Sequence, residues 1–512
     1  MSSAAAPSMS NARRIAATFG LMLATLTNTL DMTIANVALP HMQGSVSASA
    51  DQMVWVLTSY IVATAIMTPF SGWLAEKVGR KTLFLWSLAL FVLASMLCGL
   101  AVNLTQIVLF RVLQGLAGAS MMPLSQAALL DMWPRDKTAQ VMAVWSSIVT
   151  AAPVIGPTVG GYLTDEWSWR WAFFINLPVG IVAFLIIVAA VPRDAGGRQR
   201  PFDVLGYVAL VMFTVGIQLL FDRGPTKDWF DSTEIRVEAV VAVVGVYLFV
   251  VQMLTARNPF VPRAIFADRN FTASMAFGVL LSAIMFASIS LLPNFMQILL
   301  GYTAIHSGMV SMPRGVGAIL GFVVVPRFAQ IVGPRPAMVT GIVITVYALW
   351  QMSHFTLDMT DAPLKTSGFL LGFGSSLLFN PMSVLSYATL PVVYRNEAAV
   401  FSSTLRNIGG SLGIAVLVAT QTRQSAAAHS RMAAHIIPSN PVIDWRLPDL
   451  ADAAARVAPG LNWEIFRQSQ MVSYDTAFSY LCLLSVAMLP LIWLMRPASP
   501  GAGPRQPEIS AH

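Results

Sequence analysis

Two side chains of opposite charge stand inside stretches that are otherwise largely apolar. Asp31 lies in Leu30-Asp-Met-Thr-Ile-Ala-Asn-Val-Ala-Leu-Pro40, and Arg111 in Ile107-Val-Leu-Phe-Arg-Val-Leu-Gln114. An ionised group at the centre of an apolar helix costs at least about 2.5–3.5 kcal/mol, so each needs a partner or a task. A carboxyl in such surroundings can take up or release a proton as they change, whereas a guanidinium stays charged. On helices that enter a membrane, Asp31 would lie roughly 12 Å and Arg111 roughly 10 Å from the same face. Matched depth lets the two meet across a water-filled cavity, which makes them the candidate proton-coupling pair. A structural ion pair is the competing reading.

Other polar groups share this setting. Arg314, and Arg406 with Asn407, fall near the middle of apolar runs, where an arginine contacts an anionic group or braces helices. Trp55, Tyr60, Asn294, Gln297 and Asn380 are further candidates for lining a substrate cavity, against a competing role in packing or interface anchoring. In Gly72-Trp-Leu-Ala-Glu-Lys-Val-Gly-Arg-Lys81, Gly72 and Gly79 suit a tight turn, and Glu76, Arg80 and Lys81 suit cross-links between helix ends. That pattern reads as a conformational latch, or else as a solvated loop. Gly156, Pro157, Gly160 and Gly161, within Pro153-Val-Ile-Gly-Pro-Thr-Val-Gly-Gly161, permit close helix contact and a break in the backbone ladder. There is no phosphate-binding Gly-x-x-x-x-Gly-Lys-Ser/Thr loop and no Cys/His cluster with metal spacing, so no metal or cofactor is expected.

The elements that must hold these residues follow from composition. Hydrophobic residues make up 56% of the chain and charged residues 11%, where a soluble domain carries about 25% charged. Such a chain belongs in a membrane, and its net charge of +7 is a topology signal rather than a footprint for nucleic acid. Runs of about 20 apolar residues are long enough to cross the hydrocarbon core, and about fourteen can be drawn. They lie near 16–39, 54–75, 82–102, 105–127, 139–160, 172–191, 203–221, 236–254, 271–294, 304–325, 336–356, 364–385, 397–420 and 474–495. Lys and Arg concentrate in the connections on the side of the N-terminus, which makes both termini cytoplasmic. Cys98 and Cys482 both sit in apolar runs and imply no disulfide.

The chain also echoes itself. Ala75, Val78 and Gly79 recur as Ala329, Val332 and Gly333, and Ala143-Val-Trp-Ser-Ser147 as Ala399-Val-Phe-Ser-Ser403, at nearly equal offsets. A duplicated six-helix unit with an inserted central pair explains this, and two such bundles around a midplane cavity suit alternating access. The expected layout is an N-terminal tail 1–15, a first bundle 16–195, a central pair 196–262, a second bundle 263–495 and a tail 496–512. The second bundle contains a long external loop 421–473, read as a solvated linker or a docking surface.

The motifs resemble a known family. Gly72 to Lys81 is similar to the loop between helices 2 and 3 of the major facilitator superfamily, and Ile107 to Gly118 to its fourth-helix motif. Pro153 to Gly161 resembles the fifth-helix motif of its antiporters, and Leu30 to Pro40 and Trp169 to Gly180 resemble fourteen-helix drug:proton antiporters of the EmrB/QacA type. The resemblance implies an all-α polytopic fold of fourteen helices in a bacterial inner membrane. It implies efflux of amphipathic drugs driven by the proton gradient, with no cofactor. It also implies a periplasmic adaptor protein and an outer-membrane channel as partners. Export of a dedicated metabolite, acid or peptide is the alternative, and a non-transporting receptor or scaffold comes behind it.

Overall fold

The computed structural model describes residues 9–192, 202–391, 394–434 and 450–496, and every regular element among them is a helix. Most of the two tails, the start of the central insertion and the middle of the 421–473 segment lie outside the described residues. The first bundle comprises α1 (Asn11–Ser45), α2 (Ala50–Val78), α3 (Arg80–Leu100), α4 (Leu104–Gly118) continued by α5 (Met121–Met132), α6 (Arg135–Glu166), and α7 (Trp171–Phe174) continued by α8 (Asn176–Ala190). α9 (Val204–Arg223) and α10 (Thr233–Thr255) are the central pair, and the short α11 (Arg263–Ala267) leads on. The second bundle comprises α12 (Arg269–Asn294) with a π-helical turn (Phe295–Leu299), α13 (Ala304–Val332), α14 (Pro334–Met352), α15 (Asp361–Ala388), α16 (Arg395–Ala433), and α17 (Leu450–Ala487) continued by α18 (Leu489–Leu494). Counting continued helices once and leaving aside the short α11, fourteen helical segments occur among the described residues, and ten of them are long and apolar enough to cross a bilayer by length and composition alone.

Local chemistry starts and stops these helices. Ser49 and Gln52 form a reciprocal capping box on α2, while Asn103, Asp268 and Thr303 cap α4, α12 and α13 through their side chains. Gly79 ends α2 at φ 93° and Gly333 ends α13 at φ 90°, a backbone region that disfavours any side chain. The two halves thus share the same break at corresponding places, which is the repeat expressed in backbone geometry.

The bundles have separate cores, one around Leu21, Phe84, Phe91 and Trp145 and the other around Phe277, Phe295 and Phe478. Large apolar side chains such as Leu93, Leu109, Leu185, Leu483 and Trp493 point outward, as lipid contact requires. The face carrying the start of α1 and the end of α18 is called here the terminal face, and its opposite the far face. The bundles meet at α6 with α13 and at α2 with α16. A Cβ built at Gly308 of α13 would lie 2.0 Å from Thr158 Oγ1 of α6, so the contact near the far face is close. On the terminal side Gly72 approaches Val400 of α16, at 3.3 Å by the same measure. The central pair leans on both bundles through α9. Tyr207 donates to the Ile66 carbonyl (2.9 Å), Thr58 donates to Asp222 (2.5 Å), and Gln218 donates to Ser411 of α16.

Two expectations need correction here. The 421–473 segment is no simple loop: α16 runs 39 residues and α17 38, each about 57–59 Å at 1.5 Å per residue, roughly twice the hydrocarbon thickness. The described parts form a helical hairpin projecting from the far face, with Gln421 donating to Gln470 and His429 paired with Asn462. Its Ala, Gln and Arg residues are good helix formers, so a polar composition does not by itself mark a linker. In the latch motif, only Gly79 turns the chain. Gly72 lies inside α2, and its small size serves the approach of α16.

Candidate functional site

Asp31 and Arg111 meet directly. α1 and α4 bring Arg111 Nη1 to 2.6 Å from Asp31 Oδ2, and neither side chain is exposed. The anticipated cavity between them is absent. The pair is instead sealed by other polar groups of the first bundle. Gln114 Nε2 and Asn176 Nδ2 each donate to Asp31 Oδ1 at 2.8 Å, so the carboxylate accepts three hydrogen bonds. Arg111 also donates to Gln114 Oε1 (2.7 Å) and, through Nε, to the Val56 carbonyl (3.1 Å). Its guanidinium lies 4.1 Å from the ring centre of Tyr60, whose hydroxyl accepts from Asn28 at 3.0 Å. Asn176 in turn donates to Ser95, which donates to the Phe173 carbonyl. Buried charges persist where they are paired and their remaining hydrogen-bonding groups are mostly met. Arg111 Nη2, with no hydrogen-bond partner, is the one shortfall of this guanidinium.

Asp31 is thus the hub of five helices: α1 itself, α2 through Val56 and Tyr60, α3 through Ser95, α4, and α8 through Asn176. A proton added to this carboxylate removes the negative charge that holds Arg111 and converts an acceptor oxygen into a donor. The neighbouring guanidinium and amides must then rearrange, so the chemistry available is a proton-dependent change in how these helices pack.

Sequence reasoning selected Asp31, Arg111 and Tyr60 but passed over Gln114, Asn176, Asn28 and Ser95. Gln114 is three residues after Arg111 and shares its helix face, a signal that was readable. Asn176 belongs to a different helix, and nothing local pairs it with Asp31.

The other selected residues fall into separate places. Arg80 pairs with Asp131 of α5, and Lys81 donates to the carbonyls of Val188 (2.7 Å) and Val191 (2.6 Å), closing the end of α8. Glu76 does not join these links. It lines a cleft of about 380 Å³ on the terminal side, with Trp73, Phe202, Arg257, Phe260 and Phe401. Gly156 and Gly160 let α6 lie against Thr33 and Ile34 of α1, Gly161 is buried, and α6 continues through Pro157. Arg314 donates to Ser288 (3.0 Å) and the Met285 carbonyl (3.3 Å), so it ties α13 to α12. Arg406 lies over the Phe379 ring at 5.7 Å. Asn380 is buried with Nδ2 unbonded, whereas Asn294, Gln297 and Asn407 are exposed. Trp55 is also exposed and stacks under Arg223, 5.3 Å away, at the central pair. The structure therefore gathers the acid–base pair but not the set chosen as a cavity lining.

The profile of the Major Facilitator Superfamily matches residues 21–414, most of the chain. The chain belongs to the major facilitator superfamily. It is similar to the multidrug export protein EmrB of Escherichia coli (strain K12), 33% identical over 500 residues covering 97% of this chain and 98% of that one. The fatty acid resistance protein FarB of Neisseria gonorrhoeae is 31% identical over 484 residues, covering 94% and 96%. A solved bacterial homologue of the human lysosomal transporter Spinster, inward-facing and unoccupied, shares the fold with a TM-score of 0.56 at 15% identity, covering 95% and 98%. This superfamily member is EmrB-like, and it is a multi-pass membrane transporter rather than an enzyme.

Proposed function

We propose that this transporter exports amphipathic small molecules by proton antiport, with Asp31 as the group that binds the proton. One observation carries the reading: a sealed carboxylate whose three hydrogen bonds tie together helices of a single bundle. Protonation loosens that knot, and deprotonation after the bundles rock restores it. One inward proton gains about 2.3 kcal/mol per 100 mV of membrane potential, enough for a modest cargo gradient. The Asp31 side chain is fully enclosed in the present arrangement, so the cycle needs a second one in which a path to it opens. Efflux of drugs agrees with the name of the E. coli relative, and an acidic cargo, the second reading, with that of the Neisseria protein.

The membrane is a bacterial inner membrane with the terminal face cytoplasmic, as the placement of Lys and Arg favours. The transporter works without a bound cofactor. The α16–α17 hairpin carries the chain beyond the bilayer on the far face, where a periplasmic adaptor leading to an outer-membrane channel would dock. The decisive experiment is reconstitution into liposomes with an imposed pH gradient. Export that follows the gradient and is lost in Asp31→Asn supports the reading, and export indifferent to the gradient overturns it.

A further inference from the structure

At the seam between the bundles, Arg406 stands without a counter-charge. It makes no hydrogen bond or ion pair among the described residues, and it lies over the ring of Phe379, which also packs against the core of the first bundle. Arg111 pairs with a carboxylate and Arg314 donates to backbone and hydroxyl oxygens of its neighbour, so Arg406 differs from both. Beside it is a void of about 10 Å³, room for no more than a water, lined by Gln126 of α5, Ser274 of α12, Ser383 and Tyr387 of α15 and Ser402 of α16. Gln126 is 3% exposed and its side chain makes no hydrogen bond among the described residues. An intramembrane cation facing hydroxyls and an amide, with no acid in the lining, is a site lacking its anion.

We propose that Arg406, with Gln126 and the surrounding hydroxyls, binds the anionic head of the cargo, so that the transported class is amphipathic monoanions such as carboxylates. This deepens the exporter reading and rests on it. The site takes groups from both bundles, Gln126 from the first and the rest from the second, so separation of the bundles opens it and their approach closes it. Arg406 is eleven residues into α16, about 16 Å from its start on the terminal face, well placed to receive a head group whose apolar tail follows. The Met275, Gly278 and Met382 side of the void provides an adaptable apolar wall for that tail.

The test is fluorescence titration of the purified full-length chain in detergent with 11-(dansylamino)undecanoic acid and with its methyl ester, at pH 8. The acid should bind at least about tenfold tighter than the ester, as a charge-assisted contact provides. Arg406→Gln should bring that ratio to about one, Arg406→Lys should leave it in between, and Gln126→Leu should lower it about threefold. Equal binding of acid and ester to the native chain overturns the site, and so does a ratio that survives Arg406→Gln. Binding needs no pH gradient, which separates the two ideas. Acid-selective binding without gradient-driven flux sinks the exporter reading and keeps the site. Gradient-driven flux that ignores the acid's charge sinks the site and keeps the exporter.

Discussion

At the scale of single residues, the proposed function turns on one carboxylate. Replacing Asp31 by Asn removes the proposed proton acceptor and also strands a buried guanidinium, and these effects can be separated. Loss of one partner of a buried pair costs about 3–5 kcal/mol. Asp31→Asn is therefore expected to lower the melting temperature of the detergent-solubilised chain as well as to abolish proton-driven flux. The double change Asp31→Asn with Arg111→Gln removes the stranded charge, so it should recover most of the stability and none of the flux. Recovery of flux in that double variant would show that another group carries the proton. Arg111→Lys should impair flux at least about tenfold. An ammonium cannot hold the planar fork that reaches Asp31, Gln114 and the Val56 carbonyl together while lying over Tyr60.

At the scale of elements, glycines set how closely helices approach. A Cβ at Gly156 would lie 1.9 Å from Thr33 Oγ1 of α1, while one at Gly160 would meet Ile34 no closer than 3.2 Å. Gly156→Ala should therefore destabilise the chain by about 1–3 kcal/mol, as overpacking does, and Gly160→Ala by less. Thermal denaturation of the two variants tests this order, and equal melting temperatures would refute the packing role given to Gly156. The latch behaves differently. Arg80 and Asp131 are partly exposed, so Asp131→Asn should change stability by no more than about 1 kcal/mol. Its effect should appear in transport rate, where the link between α3 and α5 matters.

At the scale of the whole molecule, the proposed mechanism requires the bundles to separate and close. The far face is closed where Thr158 meets Gly308, with 2.9 Å between Thr158 Cβ and a Cβ built at Gly308. Only a small adjustment reaches the 3.5–4.5 Å usual for a disulfide. Thr158→Cys with Gly308→Cys should cross-link under oxidation, stop flux almost completely and release it on reduction. Unimpaired flux through a cross-linked chain would exclude rocking at this contact. The central pair touches α2 and α16 together through Thr58–Asp222, Tyr207–Ile66 and Gln218–Ser411, so it must follow one bundle or slide as they move.

Much was legible before any coordinates. Scarcity of charge and long apolar runs dictate a helical membrane protein, because a backbone in lipid must satisfy its own hydrogen bonds. The costly charges Asp31 and Arg111 announced themselves for the same reason, and the Gly79/Gly333 echo announced the repeat. Tertiary structure alone decided which polar groups meet. Asn176 reaches Asp31 from a helix distant in sequence and is itself held by Ser95 of another, and Glu76 leaves the latch for a cleft. It also made the described parts of the 421–473 segment two paired helices, since polar helix formers read alike as linker or as extended helix until a partner helix pairs with them. Helical periodicity is a local property, whereas the pairing of polar groups inside a bundle depends on how separate helices rotate and cross.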